Sequence, residues 1–126
     1  MAESSLLLES SEKILGMEEE QKEGEENPSW AVVGSNSRVI KNWRELVLSC
    51  PENAIRCYKH LSYNPMQRIR GRIFPLRGQK FKGAWEYEIT GADRVFYVPL
   101  FNEKKVIVYY AGKHPIKNKY PKPPSV

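Results

Sequence analysis

The stretch "AWEYEITGADRVFYVPLFNEKKVIVYYAG", residues 84 to 112, constrains the fold more than any other part of the chain. It reads as three strands separated by two turn signals. Trp85, Tyr87 and Ile89 alternate with Glu86, Glu88 and Thr90, so the first strand has one apolar and one polar face. Gly91-Ala92-Asp93 marks a turn, and Asn102-Glu103-Lys104 marks another. Turns this short join antiparallel neighbours. The last strand, "KVIVYYAG", is apolar on both faces and is predicted to be central. The alternation also predicts that Glu86 and Glu88 face solvent.

Upstream, "QRIRGRIFPL" alternates Arg68, Arg70 and Arg72 with Ile69 and Ile73 and reads as a further strand. It leads into "RGQKFKG", a basic loop with two glycines. Before these strands come two helices. In "SNSRVIKNWRELVLS", residues Ser35 to Ser37 supply N-cap candidates, and Ile40, Trp43 and Val47 share one face. Ser49 and Glu52 have capping-box spacing, with Pro51 in the first turn of the next helix. Ala54, Cys57 or Tyr58, and Leu61 point inward, and Asn64-Pro65 ends that helix. The predicted architecture is α+β, a helical hairpin packed on a small, mainly antiparallel four-stranded sheet. The C-terminal stretch "KHPIKNKYPKPPSV" is too rich in proline for regular structure beyond its start.

Charge divides the chain in two. Residues 1 to 30 hold nine Glu and two Lys, a net of −7, which leaves +12 on the other 96 residues. Residues 1–29 are expected to be an acidic, disordered leader. The part "GMEEEQKEGEENP" buries too little apolar surface to offset its ordering entropy. "SSLLLESSEKIL" can form one short amphipathic helix. The leader is either a passive extension or a mask lying on the basic domain, which spans 30–126. A body this basic attracts polyanions, nucleic acid first among them.

Cys50 and Cys57 lack the companions of a metal site and read as thiols of a reducing compartment. No apolar run approaches a membrane span, and Leu6-Leu7-Leu8 is too short and too acidic in its flanks for a signal peptide. A cytoplasmic location is expected.

"PLRGQKFKGAWEYEITGADRVFYV", followed by a charged turn and "KKVIVYYAGKH", resembles the RelE/ParE superfamily of bacterial toxins over roughly residues 36 to 120. The shared features are a basic loop, a Gly-aromatic strand start, an Arg leading an apolar strand, and a last strand ending in Gly. The resemblance implies a toxin of a type II toxin–antitoxin system, held by a cognate antitoxin protein. In the RelE-like branch such a toxin is an endoribonuclease, an mRNA interferase that cuts mRNA on the ribosome and inhibits translation. The ribose 2′-hydroxyl attacks the neighbouring phosphate, with no metal or other cofactor. An alternative is a ParE-like inhibitor of DNA gyrase, and another is a non-catalytic RNA-binding domain of the same fold.

The resemblance also implies site residues. Arg94 matches the arginine at the head of the third strand, where a guanidinium can grip the scissile phosphate by two hydrogen bonds. Its competing role is an ion pair with Glu86, Glu88 or Asp93. His114 follows the last strand, where an imidazole can move a proton near neutral pH; the alternative is a loop histidine shaping the turn before Pro115. Tyr120 stands six residues further, at the spacing of a tyrosine implicated in activating the 2′-hydroxyl, or simply packs. Arg77, Lys80, Lys82 and Lys113 are expected to meet the RNA backbone as positioning groups. His60 reads as structural. No carboxylate base is assigned by the resemblance, which leaves His114 or Tyr120 for that role.

Overall fold

A computed structural model describes residues 6–16 and 29–125. The acidic run from Met17 to Pro28 lies outside them, so the expectation of a disordered leader bears there on residues not described.

The helical hairpin forms as the apolar spacing requires. α2 spans Ser37–Ser49 and α3 spans Pro51–Tyr63, with Cys50 alone between them. Asn36 caps α2, its Oδ1 accepting from the Val39 N–H at 2.9 Å. Val39, Trp43, Leu46 and Val47 form the buried face, while Ile40 is half-buried at its margin. Ser49 does not cap α3. It is still the last residue of α2, and its hydroxyl donates back to the Leu46 carbonyl at 3.3 Å. α3 begins without a side-chain cap; Pro51 needs no N–H partner, and Glu52 sits in the positive first turn. Ala54, Cys57 and Leu61 are fully buried. Asn64 closes the helix, its N–H donating to the His60 carbonyl at 2.8 Å.

The sheet is larger than expected. β1 (Leu6–Leu7), β2 (Ala31–Gly34), β3 (Ile73–Pro75), β4 (Trp85–Glu88), β5 (Asp93–Leu100) and β6 (Lys105–Lys113) lie in the order β1-β2-β6-β5-β4-β3. Four of these are the expected strands, and β3 to β6 pair antiparallel throughout. The addition is β2, which pairs parallel with β6, and the two-residue edge strand β1 beside it. The reason is the double apolar face of β6. A strand buried on both sides needs a partner on both edges, and β5 supplies only one. Val32 and Val33 of β2 are buried accordingly.

The predicted strand over residues 67–76 shrinks to Ile73–Pro75. Gly71, at φ +75°, turns the chain, and only an isolated bridge from Ile69 to Ile73 remains of the rest.

The first part of the expected leader is structured. Leu8 is 1% exposed and sits in the main core. α1 (Ser11–Ile14) follows, capped by the Ser10 hydroxyl. Trp43 Nε1 donates to the Glu9 carbonyl at 2.9 Å, Tyr58 donates to the Leu8 carbonyl at 3.1 Å, and Arg44 pairs with Glu9 at 2.6 Å. These residues lie on the helical hairpin because Leu8 and the α1 side chains supply apolar area that the two helices leave uncovered.

The sheet thus has two faces of different character. The helices cover one, burying Trp43, Ala54, Cys57 and Leu61 against Tyr87, Val95, Tyr97, Val106 and Val108. On the other, Ala84, Phe96, Val98 and Tyr109 form a small second core, against which Leu76, Phe81 and Tyr120 pack from irregular segments and Leu100 and Tyr110 from the strands. A bulge shapes that second face. Phe96 is paired with Tyr110 but Tyr97 with Val108, so β6 carries one extra residue. Both Tyr109 and Tyr110 then lie near Phe96, at centroid distances of 6.1 and 5.3 Å.

Cys50 and Cys57 are free thiols, and burial pushes the Cys57 thiol far up. Among the described residues no helix is long and apolar enough to cross a membrane.

Candidate functional site

The second face carries a polar cluster assembled from three separate segments. β4 contributes Glu86, which alternation sends to the face opposite the helices. It does not reach solvent there: Glu86 is 4% exposed, beneath the C-terminal segment. This corrects the expectation of a solvent-facing carboxylate. Alternation separates two faces but does not say that the second is covered.

β5 contributes Arg94. In register it lies opposite Glu88 on β4 and Gly112 on β6, and Gly112 offers no side chain to compete for the space. The guanidinium is 12% exposed and engaged throughout. Nε donates to Glu86 Oε2 at 3.0 Å, and Nη2 lies 3.7 Å from Glu88 Oε1. Nη1 donates to the carbonyls of Thr90, Asp93 and Gly91 at 2.7, 3.0 and 3.3 Å. Arg94 therefore closes the Thr90–Asp93 turn and neutralises Glu86. Of its two candidate roles, the geometry here is that of the ion pair. The turn holds itself as well, with Thr90 donating to Asp93 Oδ2 at 2.8 Å and accepting from the Asp93 and Ala92 N–H groups.

The segment after β6 contributes His114 and Tyr120. The His114 N–H donates to the Ala92 carbonyl at 2.8 Å, which extends the strand pairing by one residue and fixes the base of the side chain. A short 3₁₀ turn at Lys117–Lys119 then brings Tyr120 back over the sheet. Its ring lies 5.2 Å from that of Phe96 and 6.2 Å from that of Phe81. Its hydroxyl is 3.1 Å from His114 Nε2 and 3.5 Å from Glu86 Oε1. His114 Nε2 is 3.8 Å from Glu86 Oε2. Burial, and next the Glu86 charge, push the Tyr120 phenol above its ordinary range, so it stays protonated at neutral pH and acts as a donor. A phenolate base at Tyr120 is disfavoured by the same two causes.

Arg94, His114 and Tyr120 thus come together around a residue absent from the sequence-derived set, Glu86. A signal for it existed. The short Thr90–Asp93 connection sets Glu88 opposite Arg94, which makes Glu86 the diagonal neighbour of Arg94 on the same face. Tyr109 was missed as well. Its hydroxyl is buried without a partner in the second core, and burial followed by the Glu86 charge raises its pKa.

Four cations expected to be positioning groups stand exposed around this face. Lys113 precedes His114, is 82% exposed and lies 3.5 Å from Asp93. Arg77, Lys80 and Lys82 project from the basic loop. That loop is compact: the Leu76 N–H donates to the Ala84 carbonyl at 2.8 Å, and Leu76 and Phe81 anchor it in the second core. His60 lies elsewhere, on α3, with its ring 5.6 Å from that of Tyr87; burial lowers its pKa and keeps it neutral.

Of the cluster, His114 is the most exposed member. Its side chain is 40% exposed against 5% for Glu86. The arrangement is a partly exposed imidazole backed by a phenol, a buried carboxylate and a half-buried guanidinium. It can orient the imidazole and move a proton through it. Among the described residues no group of three His, Cys, Asp or Glu side chains is placed to hold a metal ion. No family model matches the sequence, and no curated protein matches it either.

Proposed function

We propose that the protein is the toxin of a toxin–antitoxin pair with a RelE-like fold, a ribosome-dependent endoribonuclease that cuts mRNA by attack of a 2′-hydroxyl on the neighbouring phosphate. The observation that carries the reading is the convergence of His114, Tyr120, Glu86 and Arg94 on one face of the sheet, with Tyr120 3.1 Å from the imidazole. Arg94, His114 and Tyr120 are the residues that the sequence resemblance implies, and Arg77, Lys80, Lys82 and Lys113 are exposed cations of the basic loop and the end of β6.

Each group has a role in this chemistry. Tyr120 donates to Glu86 and accepts from Nε2–H of His114, which fixes the tautomer whose Nδ1 is the free acceptor. That nitrogen takes the proton of the 2′-hydroxyl as its oxygen bonds to phosphorus. The P–O5′ bond then breaks, the departing 5′-oxygen takes a proton from water on the far side of phosphorus, and the imidazolium returns its proton to solvent. The products are a 2′,3′-cyclic phosphate and a free 5′-hydroxyl. Lys113 and the loop cations counter the charge that builds on the phosphoryl oxygens. Arg94 acts through Glu86, as a positioning residue.

The test is induced expression with primer extension on a reporter mRNA. The expected result is cleavage inside the reading frame that His114→Gln lowers by about 10² or more, as for loss of a general acid–base group, with the thermal transition retained. Co-expression of the cognate antitoxin is expected to restore growth. DNA breaks at gyrase with intact mRNA would sink the reading.

A further inference from the structure

Beyond the cluster and the basic loop, the chain presents a third cationic feature, the turn from Arg68 to Arg72. Its backbone is fixed. The Ile69 and Ile73 N–H groups each donate to the other residue's carbonyl at 2.8 Å, and the Arg72 N–H donates to the Ile69 carbonyl at 2.9 Å. Gly71 at φ +75° makes so tight a reversal possible. Arg68, Arg70 and Arg72 are all exposed. Among the described residues none of the three has a carboxylate within 4.0 Å, as is also true of Arg77, Lys80 and Lys82 in the basic loop; Arg72 Nη2 donates to the Ile89 carbonyl at 3.4 Å. Three like charges within five residues of a short turn raise the local positive potential, which favours an anion there.

The placement in the sheet says which anion. β3 is the sheet edge, and Arg72 stands immediately before it. The Glu88 N–H donates to the Arg72 carbonyl at 2.9 Å, so Arg72 begins a row that continues through Glu88, Arg94 and Gly112. Three strand spacings separate its ends, roughly 14 Å. Gly112 is two residues from His114. The row therefore crosses four of the six strands, from the arginine turn at the β3 edge to a residue two positions before the exposed imidazole, and the basic loop follows β3 in the chain.

We infer that the Arg68–Arg72 turn is a phosphate-binding prong that holds the RNA backbone a few nucleotides away from the scissile bond. The inference rests on the endoribonuclease reading and adds a binding subsite to it. The guanidinium is the suited head group, because its fork matches two phosphate oxygens. The turn supplies affinity and register, while the chemistry stays at His114.

Salt titration tests the prong without any need for turnover. The probe is a fluorescent mixed-sequence RNA 20-mer, bound to the wild type and to the triple variant Arg68→Gln/Arg70→Gln/Arg72→Gln. Each phosphate contact to single-stranded RNA contributes about 0.7 to the slope of log K against log salt. The triple variant is expected to lower that slope by about 2 units and to weaken binding at low salt. His114→Gln is expected to leave the slope unchanged. Replacing the three arginines by lysine keeps the charge and is expected to restore the slope while recovering only part of the affinity. A triple variant with unaltered slope overturns the prong, whatever the wild type does with RNA. A wild type that shows no salt-dependent RNA binding overturns the prong as well, while the endoribonuclease reading, being ribosome-dependent, stands or falls on the primer-extension test. Poly-glutamate serves as a competitor. If it binds the wild type as tightly as RNA and loses as much in the triple variant, the turn receives an acidic polypeptide and the proposal fails. All three substitutions lie on exposed side chains, and unchanged thermal transitions establish that the comparison is between folded proteins.

Discussion

The two faces of the sheet are built from the same strands, and they are stabilised by different physics. On the helix-covered face the side chains are apolar, and contact with two full helices excludes water. Trp43, Val47, Cys57, Leu61, Val95 and Tyr97 are fully buried there. On the opposite face the apolar core comprises four buried residues, and beside it the buried Glu86 is paired with a half-buried Arg94. The cover there is a compact loop and a proline-rich tail rather than helices. One face tolerates no missing volume, and the other tolerates no missing charge. A site for proton transfer fits the second, since burying a carboxylate beside an imidazole and a phenol makes each more sensitive to the others.

The largest effect is expected on the covered face. Trp43→Ala removes a fully buried indole and its hydrogen bond to the Glu9 carbonyl. The expected loss is about 3–5 kcal/mol, measured by urea unfolding. A loss below about 1 kcal/mol would mean that the hairpin does not depend on this contact.

Next is Arg94→Ala on the open face. It leaves Glu86 buried without its cation, and the expected loss is about 3 kcal/mol. Replacing both by apolar residues, Arg94→Met with Glu86→Leu, is expected to recover most of that loss. The phosphate-clamp reading of Arg94 makes the opposite forecast, a cleavage loss of about 10² with the fold intact. Measuring stability and cleavage on one variant decides between the two roles.

Leu8→Ala comes third, with an expected loss of about 2 kcal/mol from a side chain now 1% exposed. A passive N-terminal extension predicts no loss. A mask predicts tighter RNA binding when the leader is removed, but residues 6–16 lie on the helices, away from His114.

The smallest effect is absent at neutral pH. Burial raises the phenols of Tyr87, Tyr97, Tyr109, Tyr110 and Tyr120 above the ordinary value of 10.0. Above about pH 10 the unfolded chain loses these protons while the folded chain keeps them. The unfolded state then binds fewer protons, so stability falls as pH rises. Urea unfolding at pH 8 and pH 11 checks the sign, and Tyr97→Phe should flatten part of the decline. An unchanged midpoint across that interval would contradict the burial of these hydroxyls.

The helices were legible because their signals are local. Pro51 and Asn64-Pro65 act on the residues beside them, and the apolar spacing of Trp43 and Val47 needs no distant partner. The three C-terminal strands were legible for the same reason. β2 was not, since "AVVG" is short and its partner on β6 is far along the chain. Residues 6–16 read as leader because their Glu content hides one decisive residue, Leu8. In the site, Arg94, His114 and Tyr120 were named from resemblance, while their centre, Glu86, was named only as one of three ion-pair candidates for Arg94. Glu86 looks like any solvent-facing residue of an alternating strand until the tail is known to fold back over it. That return depends on Tyr120 packing against Phe96 and Phe81, a tertiary contact without a sequence period.

The parallel pairing of β2 with β6 has a consequence for synthesis. Every pair in that ladder, from Ala31 with Lys105 to Gly34 with Val108, spans 74 positions. Contacts of such sequence separation form slowly, because loop closure precedes any gain from them. During translation the first strand of the basic body waits for the last one to leave the ribosome. Val106 and Val108 complete the main core, and His114 and Tyr120 follow them in the chain. A nascent chain therefore lacks its full core until Val106 and Val108 have emerged, and the order of the strands delays completion of the fold.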